Sequence, residues 1–556
     1  MNSRIMWQTS KTADSQGVKT PGSDETQNRC GAYVHTPNMA DLIDRFLCCG
    51  TAGGTYYVGE TQLTQDTVNQ VREWCERDPV LVAVRAAAVS FEGRAYRNDS
   101  AIFLVASLLC GSLSARHQGR LAARQVCRTS THIMQLAEYV KRVNGSLTKA
   151  AQKAIAFWYE SRLVFKLNAG GVKDAETLAF QHAKYRGGRH GWTHRDLLRQ
   201  SHPQLPEDLA GFLCGKNPDA QFRAAQILGL AQACTLPSQV VRLAQEYPGE
   251  LPREYIPNTL AVAPQVQRAL VHTRNMRGQA LLRNLRSMNA TGALDDLSTA
   301  GVVSRLLVDN RHIRETRLHP MQYLLAMYAT GADNGRVPAE YFWEGNLPDG
   351  KLIPRVVGEA LEEGFYQAFG ELPTISGSLL IGVDISGSMD APISLGRTKP
   401  GVRLPSCRAA AACTAMVLAR QAREYDVLGF DRTCENIPVS THDRLGDVMR
   451  RMDAWHGGAT NPSVLMAYAQ KNRVNTTGFV VLTDNETNCH GAVKPMVALR
   501  HYRREADMPR AGLVVVAMTG DRFSIADPND PHTMDVCGFD AGMPATIATF
   551  LEGSAA

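Results

Sequence analysis

The chain has 556 residues, 44% of them hydrophobic and 21% charged, which suits several packed domains rather than a disordered polymer. The thirteen cysteines are odd in number, contain no Cys-x-x-Cys and include the adjacent pair Cys48 and Cys49, which argues for reduced, mostly buried thiols and against a disulfide framework or a zinc ribbon. The apolar stretch at 101–110 is too short to cross a bilayer and the first thirty residues lack an apolar signal core, so no membrane partner and a cytoplasmic location are expected.

Residues 1–37 are polar, rich in Ser, Thr, Gly and Gln and without periodicity, and are expected to form a disordered tail. From Met39 the pattern becomes helical, with Leu42, Phe46 and Leu47 on one face. Apolar residues recur at spacings of three and four to about residue 370, and breaks such as Asn98-Asp99, Asn144-Gly145 and Gly187-Gly188 punctuate them. That rhythm predicts stacked helix pairs of the HEAT kind over 38–370.

Three basic constellations lie in this helical part. Arg116, Arg120, Arg124 and Arg128 recur every four residues, His132 continues the row, and no Asp or Glu occurs between Asp99 and Glu138. The second runs from Gln181 to His202 and holds Lys184, Arg186, Arg189, His194, Arg195 and Arg199, interleaved with Tyr185 and Trp192. Guanidinium groups suit phosphates, and aromatic or imidazole rings suit unpaired bases. Thr193 with Asp196 reads as a helix N-terminus, and Trp192 and Leu197 as packing residues. The third holds Arg274, Arg277, Arg283 and Arg286, again without acids from 272 to 294. Solvated helix faces usually mix both signs, so three such runs favour nucleic acid. His132 and His194 are either ligand contacts or buried hydrogen-bond partners.

After a linker at 371–378 the grammar changes. Strand-like runs at 379–384, 425–430, 479–483 and 512–517 alternate with helical stretches such as 408–424, predicting an α/β doubly wound sheet over 376–556. From residue 376 onward 18 Lys and Arg stand against 19 Asp and Glu, a net of −1, so with a total of +6 the first 375 residues carry +7.

Within this domain Asp384, Ser386 and Ser388 follow a short apolar run at i, i+2 and i+4. Thr460 sits on a Gly-Gly-Ala-Thr turn, and Asp484 ends another apolar run. A carboxylate with hydroxyls is a hard oxygen set suited to Mg²⁺, with Mn²⁺ or Ca²⁺ as alternatives, and not to zinc. The ordered pattern resembles the metal-ion-dependent adhesion site of von Willebrand factor A domains. Ser386, Ser388 and Thr460 are expected to hold the cation, with Asp384 and Asp484 reaching it directly or through water. Capping hydroxyls on a Ser/Gly turn are the bland alternative.

Longer motifs carry a wider resemblance. Val126-Cys-Arg-Thr-Ser-Thr-His132, Gly191-Trp-Thr-His-Arg-Asp-Leu-Leu-Arg199, Ala280-Leu-Leu-Arg-Asn-Leu285, Arg317-Leu-His-Pro320, Leu482-Thr-Asp-Asn-Glu-Thr487 and Asp535-Val-Cys-Gly-Phe-Asp540 resemble the Ro autoantigen family from about residue 38 to the C-terminus. The resemblance implies an α-helical HEAT-like repeat ring, the TROVE domain, followed by a von Willebrand factor A-like domain. It implies a monomeric ring that binds Y RNA-like small noncoding RNAs outside and the single-stranded ends of misfolded RNAs in its hole. In bacterial members the RNA can tether polynucleotide phosphorylase. The chain departs from the family in a longer, more basic loop at 390–405, with Arg397, Lys399 and Arg403, and in the Gly-Gly-Ala-Thr turn.

The expected function is therefore a non-enzymatic RNA-binding scaffold in noncoding RNA quality control. A metal-dependent protein-adhesion module is the alternative, and the +7 surplus outside the A-like domain argues against it as the main role. A nuclease is disfavoured because two-metal phosphoryl chemistry needs several clustered carboxylates about 4 Å apart.

Overall fold

The computed structural model describes residues 13–49, 60–164, 172–185, 187–216, 222–331, 352–391, 393, 405–454, 457–485, 487–519 and 522–555, with backbone alone at 60–67, 163–164, 172–174, 453 and 555. The helical part begins with helix Met39–Cys49 and runs to helix Arg355–Gln367. Local chemistry sets many of its boundaries. Asp78 caps Leu81 N ahead of Pro79 at the first turn of helix Pro79–Glu92. Thr129 caps helix Ser130–Asn144, and Thr193 and Asp196 form a reciprocal capping box at helix His194–Ser201.

The array closes on itself as a ring. Helix Pro320–Thr330 belongs to its far end, yet its cap residue His319 donates from Nε2 to the Arg94 carbonyl at 2.8 Å, just beyond helix Pro79–Glu92. Arg317 Nη1 donates to the Phe91 carbonyl at 3.1 Å in the same seam. Gly364 makes the packing of helix Arg355–Gln367 possible, because a Cβ there would stand 2.3 Å from the Tyr323 ring.

Two short strands, β1 (Thr26–Gln27) and β2 (Tyr33–Val34), pair antiparallel ahead of the ring. The C-terminal domain is a six-stranded sheet of β3 (Ile375–Asp384), β4 (Ala422–Phe430), β5 (Cys434–Asn436), β6 (Gly478–Thr483), β7 (Gly512–Ala517) and β8 (Thr533–Cys537). The order is β5-β4-β3-β6-β7-β8, parallel except for β5. Alternate strand residues feed two cores. Ile381, Val383, Val480 and Val514 face helices Cys407–Gln421 and Met543–Ala555, whereas Leu380, Phe479, Val481 and Val515 face helices Ser463–Asn472 and Pro495–Glu505. The sheet reverses direction of growth between β3 and β6, the place where doubly wound folds open a crevice.

The domain is bolted to both ends of the ring. Arg45, on the first ring helix, pairs with Asp535 on β8 with both side chains buried, and Arg94 pairs with Asp540. From the other end Glu359 accepts from Arg444 at 2.8 Å and Glu362 from Leu445 N at 2.8 Å.

Residues 13–37 differ from the expected disordered tail. They form a strap across the C-terminal domain. Gln16 N donates to Ala492 O at 2.8 Å, Lys494 N to Asp14 O at 2.8 Å and His35 N to Ser524 O at 2.9 Å. Lys494 is buried with Glu25 at 2.7 Å. A polar segment is ordered here because its backbone groups and one ion pair are satisfied by residues more than four hundred positions away. Residues 1–12 lie outside the described residues.

Candidate metal centre and basic surface

Asp384 ends β3 and is fully buried. Its Oδ1 accepts from Ser386 N at 2.9 Å and its Oδ2 from the Thr483 hydroxyl at 2.7 Å. The register pairs Val383 with Leu482, which sets Asp384 beside Thr483 at the ends of neighbouring strands. Ser386 and Ser388 hydroxyls are 3.1 Å apart. Burial pushes the Asp384 carboxyl above its ordinary value, against the lowering pull of Thr483, Ser386 and Arg408.

The loop of Thr460 lies against this turn, since Gly457 N donates to Ile385 O at 3.1 Å. Thr460 N donates to Asn488 Oδ1 at 2.7 Å, while its buried hydroxyl oxygen has no hydrogen-bond partner. Asp484 is buried just beyond β6, and its carbonyl accepts from Thr519. Asn485 follows in the left-handed region at φ 65°, and both polar atoms of its buried side chain have no partner. The hydroxyl of Thr460 and the amide of Asn485 are therefore desolvated polar atoms on two loops that the Thr460–Asn488 bond ties together.

Four residues of this centre went unseen in the sequence. Thr483 is the buried donor to Asp384. Arg408 is 1% exposed, donates from Nη2 to the carbonyls of Ile385 and Ser386 at 3.2 and 3.1 Å, and pairs with Asp390 at 3.1 Å. The strap reaches both metal-site loops: Gln16 Nε2 donates to Asn461 Oδ1 at 2.9 Å, next to Thr460, and Asn28 Nδ2 to Thr487 O at 2.9 Å, three residues past Asp484. Strand ends carrying Thr before Asp were a usable signal for Thr483. Nothing local announced Arg408 or the strap. The basic residues Arg397, Lys399 and Arg403 lie outside the described residues.

On the ring, Arg116 and Arg120 are exposed on helix Leu113–Val126, and Arg124 is half-buried on the same face. Its guanidinium stands 5.9 Å from the Phe157 ring centroid. Phe157, 46% exposed, follows exposed Lys149 and Lys153 at spacings of four along helix Lys149–Val164, which packs on the arginine helix. Sequence reading missed this second stripe, although its i, i+4, i+8 spacing was visible.

Arg128 leaves the row. It follows the helix, is half-buried, and has a buried Nε with no partner. Burial and the neighbouring Arg317 charge both push its pKa down. His132 is half-buried, accepts from Asn98 Nδ2 at 3.3 Å, and is held neutral by burial and Arg128 at about 4.

In the second constellation Arg189, Arg195 and Arg199 are exposed. Arg189 lies 4.8 Å from the Tyr185 ring centroid. Lys184 is engaged by Glu254 at 3.3 Å, and Arg186 lies outside the described residues. His194 departs from the expected RNA-contact set. It is 1% exposed, its Nδ1 stands 2.7 Å from the Tyr159 hydroxyl, and burial drives its pKa to about 3. The capping residue Thr193 turns this first helical side chain inward, so it cannot reach a phosphate. Leu197 is buried and Trp192 half-buried, as expected of packing residues. Arg274, Arg277 and Arg283 are exposed, Arg274 at the left-handed φ of 57°.

Residues 378–551 match the family described as the Ro60 vWA domain, and residues 251–334 match the TROVE domain. A Deinococcus radiodurans protein named RNA-binding protein RO60 is 30% identical over 96% of this chain and 97% of its own length. A Caenorhabditis elegans protein of the same name is 26% identical over 95% of this chain and 90% of its own. The crystal structure of the Deinococcus radiodurans RO (RSR) protein superposes with a TM-score of 0.64 at 28% identity, covering 93% of this chain and 99% of that one.

Proposed function

This chain belongs to the Ro60 family, a TROVE ring followed by a vWA domain, and from that premise we propose that it is an RNA-binding ring protein acting as a scaffold in noncoding RNA quality control. The observation that carries the proposal is the exposed arginine face of helix Leu113–Val126 beside the Lys149, Lys153 and Phe157 stripe. Cations along one helix neutralise consecutive phosphates, and an exposed ring offers a stacking surface for an unpaired base. The relatives are named as RNA-binding proteins.

The ligands proposed are Y RNA-like small RNAs on the outer surface and the single-stranded ends of misfolded RNAs, with polynucleotide phosphorylase recruited through the RNA. The working unit is a monomeric cytoplasmic ring. Filter binding of the full chain tests this: a folded RNA with a single-stranded end should bind more tightly than the same RNA trimmed flush, and equal weak retention of both would refute it.

For the vWA domain we propose one hard divalent cation, most readily Mg²⁺, held by Ser386, Ser388 and Thr460 with Asp384 and Asp484 directly or through water. The buried hydroxyl of Thr460 without a partner fits an oxygen-ligated ion, as does a donor set without sulfur or imidazole. When bound, the ion would supply positive charge at a site able to take a partner's carboxylate. Arg408 and Thr483 orient the loop and the carboxylate. A metal-dependent adhesion role alone has less behind it, because the charge surplus and the relatives' names point to RNA. The proposal is for binding rather than catalysis: among the described residues the centre offers two carboxylates, Asp384 and Asp484, where two-metal phosphoryl chemistry needs several.

A further inference from the structure

Three cysteines meet where the ring and the vWA domain join. Cys48 and Cys49 end the first ring helix, and Cys537 ends β8. Cys49 Sγ and Cys537 Sγ are 2.8 Å apart, although the two residues are 488 positions apart in sequence. Carbon atoms in van der Waals contact settle at about 3.5–4.0 Å, and the sulfurs of a disulfide at about 2.05 Å. Cys48 also hydrogen-bonds to Cys537. All three thiols are buried. Ion pairs fix both sides of the junction, Arg45 with Asp535 two residues before Cys537 and Arg94 with Asp540 three residues after it. The sulfur atoms are thus held at short range by a rigid seam rather than by a mobile loop.

We propose that Cys49 and Cys537 form a peroxide-driven disulfide that clasps the first ring helix to the last strand of the vWA domain. Cys537 is the attacking sulfur. Burial raises its pKa, but the hydrogen bonds from Cys48 and Cys49 outweigh that and hold it well below the ordinary thiol value. Its thiolate attacks one oxygen of hydrogen peroxide, forming S–O and breaking O–O, and the departing hydroxide takes a proton to become water. The Cys49 sulfur then attacks the sulfenic sulfur. S–S forms, S–O breaks, and the hydroxide leaves with the Cys49 proton as a second water. The two sulfurs lose two electrons and the peroxide gains them. Cellular dithiols reverse the bond by exchange through a mixed disulfide.

The bond adds a covalent clasp to the seam of ion pairs between the first ring helix and the vWA domain. The full chain is treated with hydrogen peroxide, its remaining thiols are blocked by alkylation under denaturing conditions, and it is digested without reductant. Mass spectrometry should find one linked species joining the peptides of Cys49 and Cys537, absent after reduction, while the buried Cys413 is recovered alkylated. Hydrogen exchange across 533–537 should slow several-fold in the oxidised chain, and its melting temperature should rise. Cys537→Ser removes the linked peptide, and Cys49→Ala does the same if the first variant does not fold; the wild-type mass readout needs neither variant. Recovery of Cys49 and Cys537 as alkylated thiols, under peroxide that oxidises the half-buried Cys30, overturns the proposal. So does a linked peptide with unchanged exchange at 533–537.

Discussion

Thr483 donates its hydroxyl to Asp384 Oδ2 at 2.7 Å across two adjacent parallel strands. The bond fixes a carboxylate whose pKa burial has already raised. A raised carboxyl pKa means that the folded state holds its proton to higher pH than the unfolded state does. The ionised group therefore costs stability at neutral pH, and that cost disappears as pH falls through the folded value. Asp384→Asn should abolish Mn²⁺ binding by calorimetry and raise the melting temperature of the metal-free protein at pH 7. Thr483→Val should keep the carboxylate but weaken Mn²⁺ binding by about 10–100-fold, as loss of a supporting hydrogen bond does. Wild-type Mn²⁺ affinity in Asp384→Asn would remove the carboxylate from the centre.

RNA binding should be steeply salt dependent. Changing Arg116, Arg120 and Arg124 to Gln removes three cations from one helix face, while Arg128 is left in place because it sits half-buried off that helix. Each phosphate contact on a single strand contributes a log–log slope of roughly −0.7, so the triple variant should flatten the slope by about two. An unchanged slope with an intact circular dichroism spectrum would take this face off the binding surface.

Three histidines should govern acid stability. Burial drives His194 to about 3 and His132 and His319 to about 4. In the unfolded chain each takes a proton near 6.5, so their stabilising share is complete above that value and is lost as pH falls toward the folded values. Each contributes a slope of up to about 1.4 kcal/mol per pH unit. Urea midpoints at pH 7, 6 and 5 should fall accordingly, and His194→Phe should flatten the fall. That variant should lower the melting temperature, since it strands the Tyr159 hydroxyl, yet leave RNA affinity intact. A selective loss of RNA binding would restore His194 to the contact set.

The ring-then-sheet architecture was legible because hydrophobic period survives in single sequence: three-to-four spacing before 370, short apolar runs after 378. Asp384, Ser386 and Ser388 were legible because one turn carries them. Thr483 and Arg408 act through strand register and helix packing, which no local pattern encodes. His194 shows the same limit. Its capping residue was readable, but the direction of its ring depends on Tyr159 from another helix. β5 and β8 escaped notice because they are short, three and five residues, and only partly apolar. The polar composition of the strap predicts disorder, whereas its order comes from distant partners.

The strap rests on the pair of Glu25 and Lys494, whose side chains are 4% and 5% exposed. Burial raises the Glu25 pKa, but hydrogen bonds from Lys494 and Thr20 pull it below the usual value. Removing one partner leaves the other buried and uncompensated, a cost of about 3–5 kcal/mol, whereas replacing both by apolar groups of similar size is often near neutral. Lys494→Met alone should therefore lower the urea midpoint sharply, and Glu25→Leu with Lys494→Met should recover most of it. The single change should also weaken Mn²⁺ binding. With the anchor loosened, Gln16 no longer holds Asn461 beside Thr460, nor Asn28 the loop after Asp484. Gln16→Ala separates the two effects: it should cost Mn²⁺ affinity while leaving the urea midpoint nearly unchanged. If Lys494→Met unfolds at the wild-type midpoint, the ion pair does not hold the strap. If Gln16→Ala binds Mn²⁺ as the wild type does, the strap stabilises the domain without positioning its metal loop.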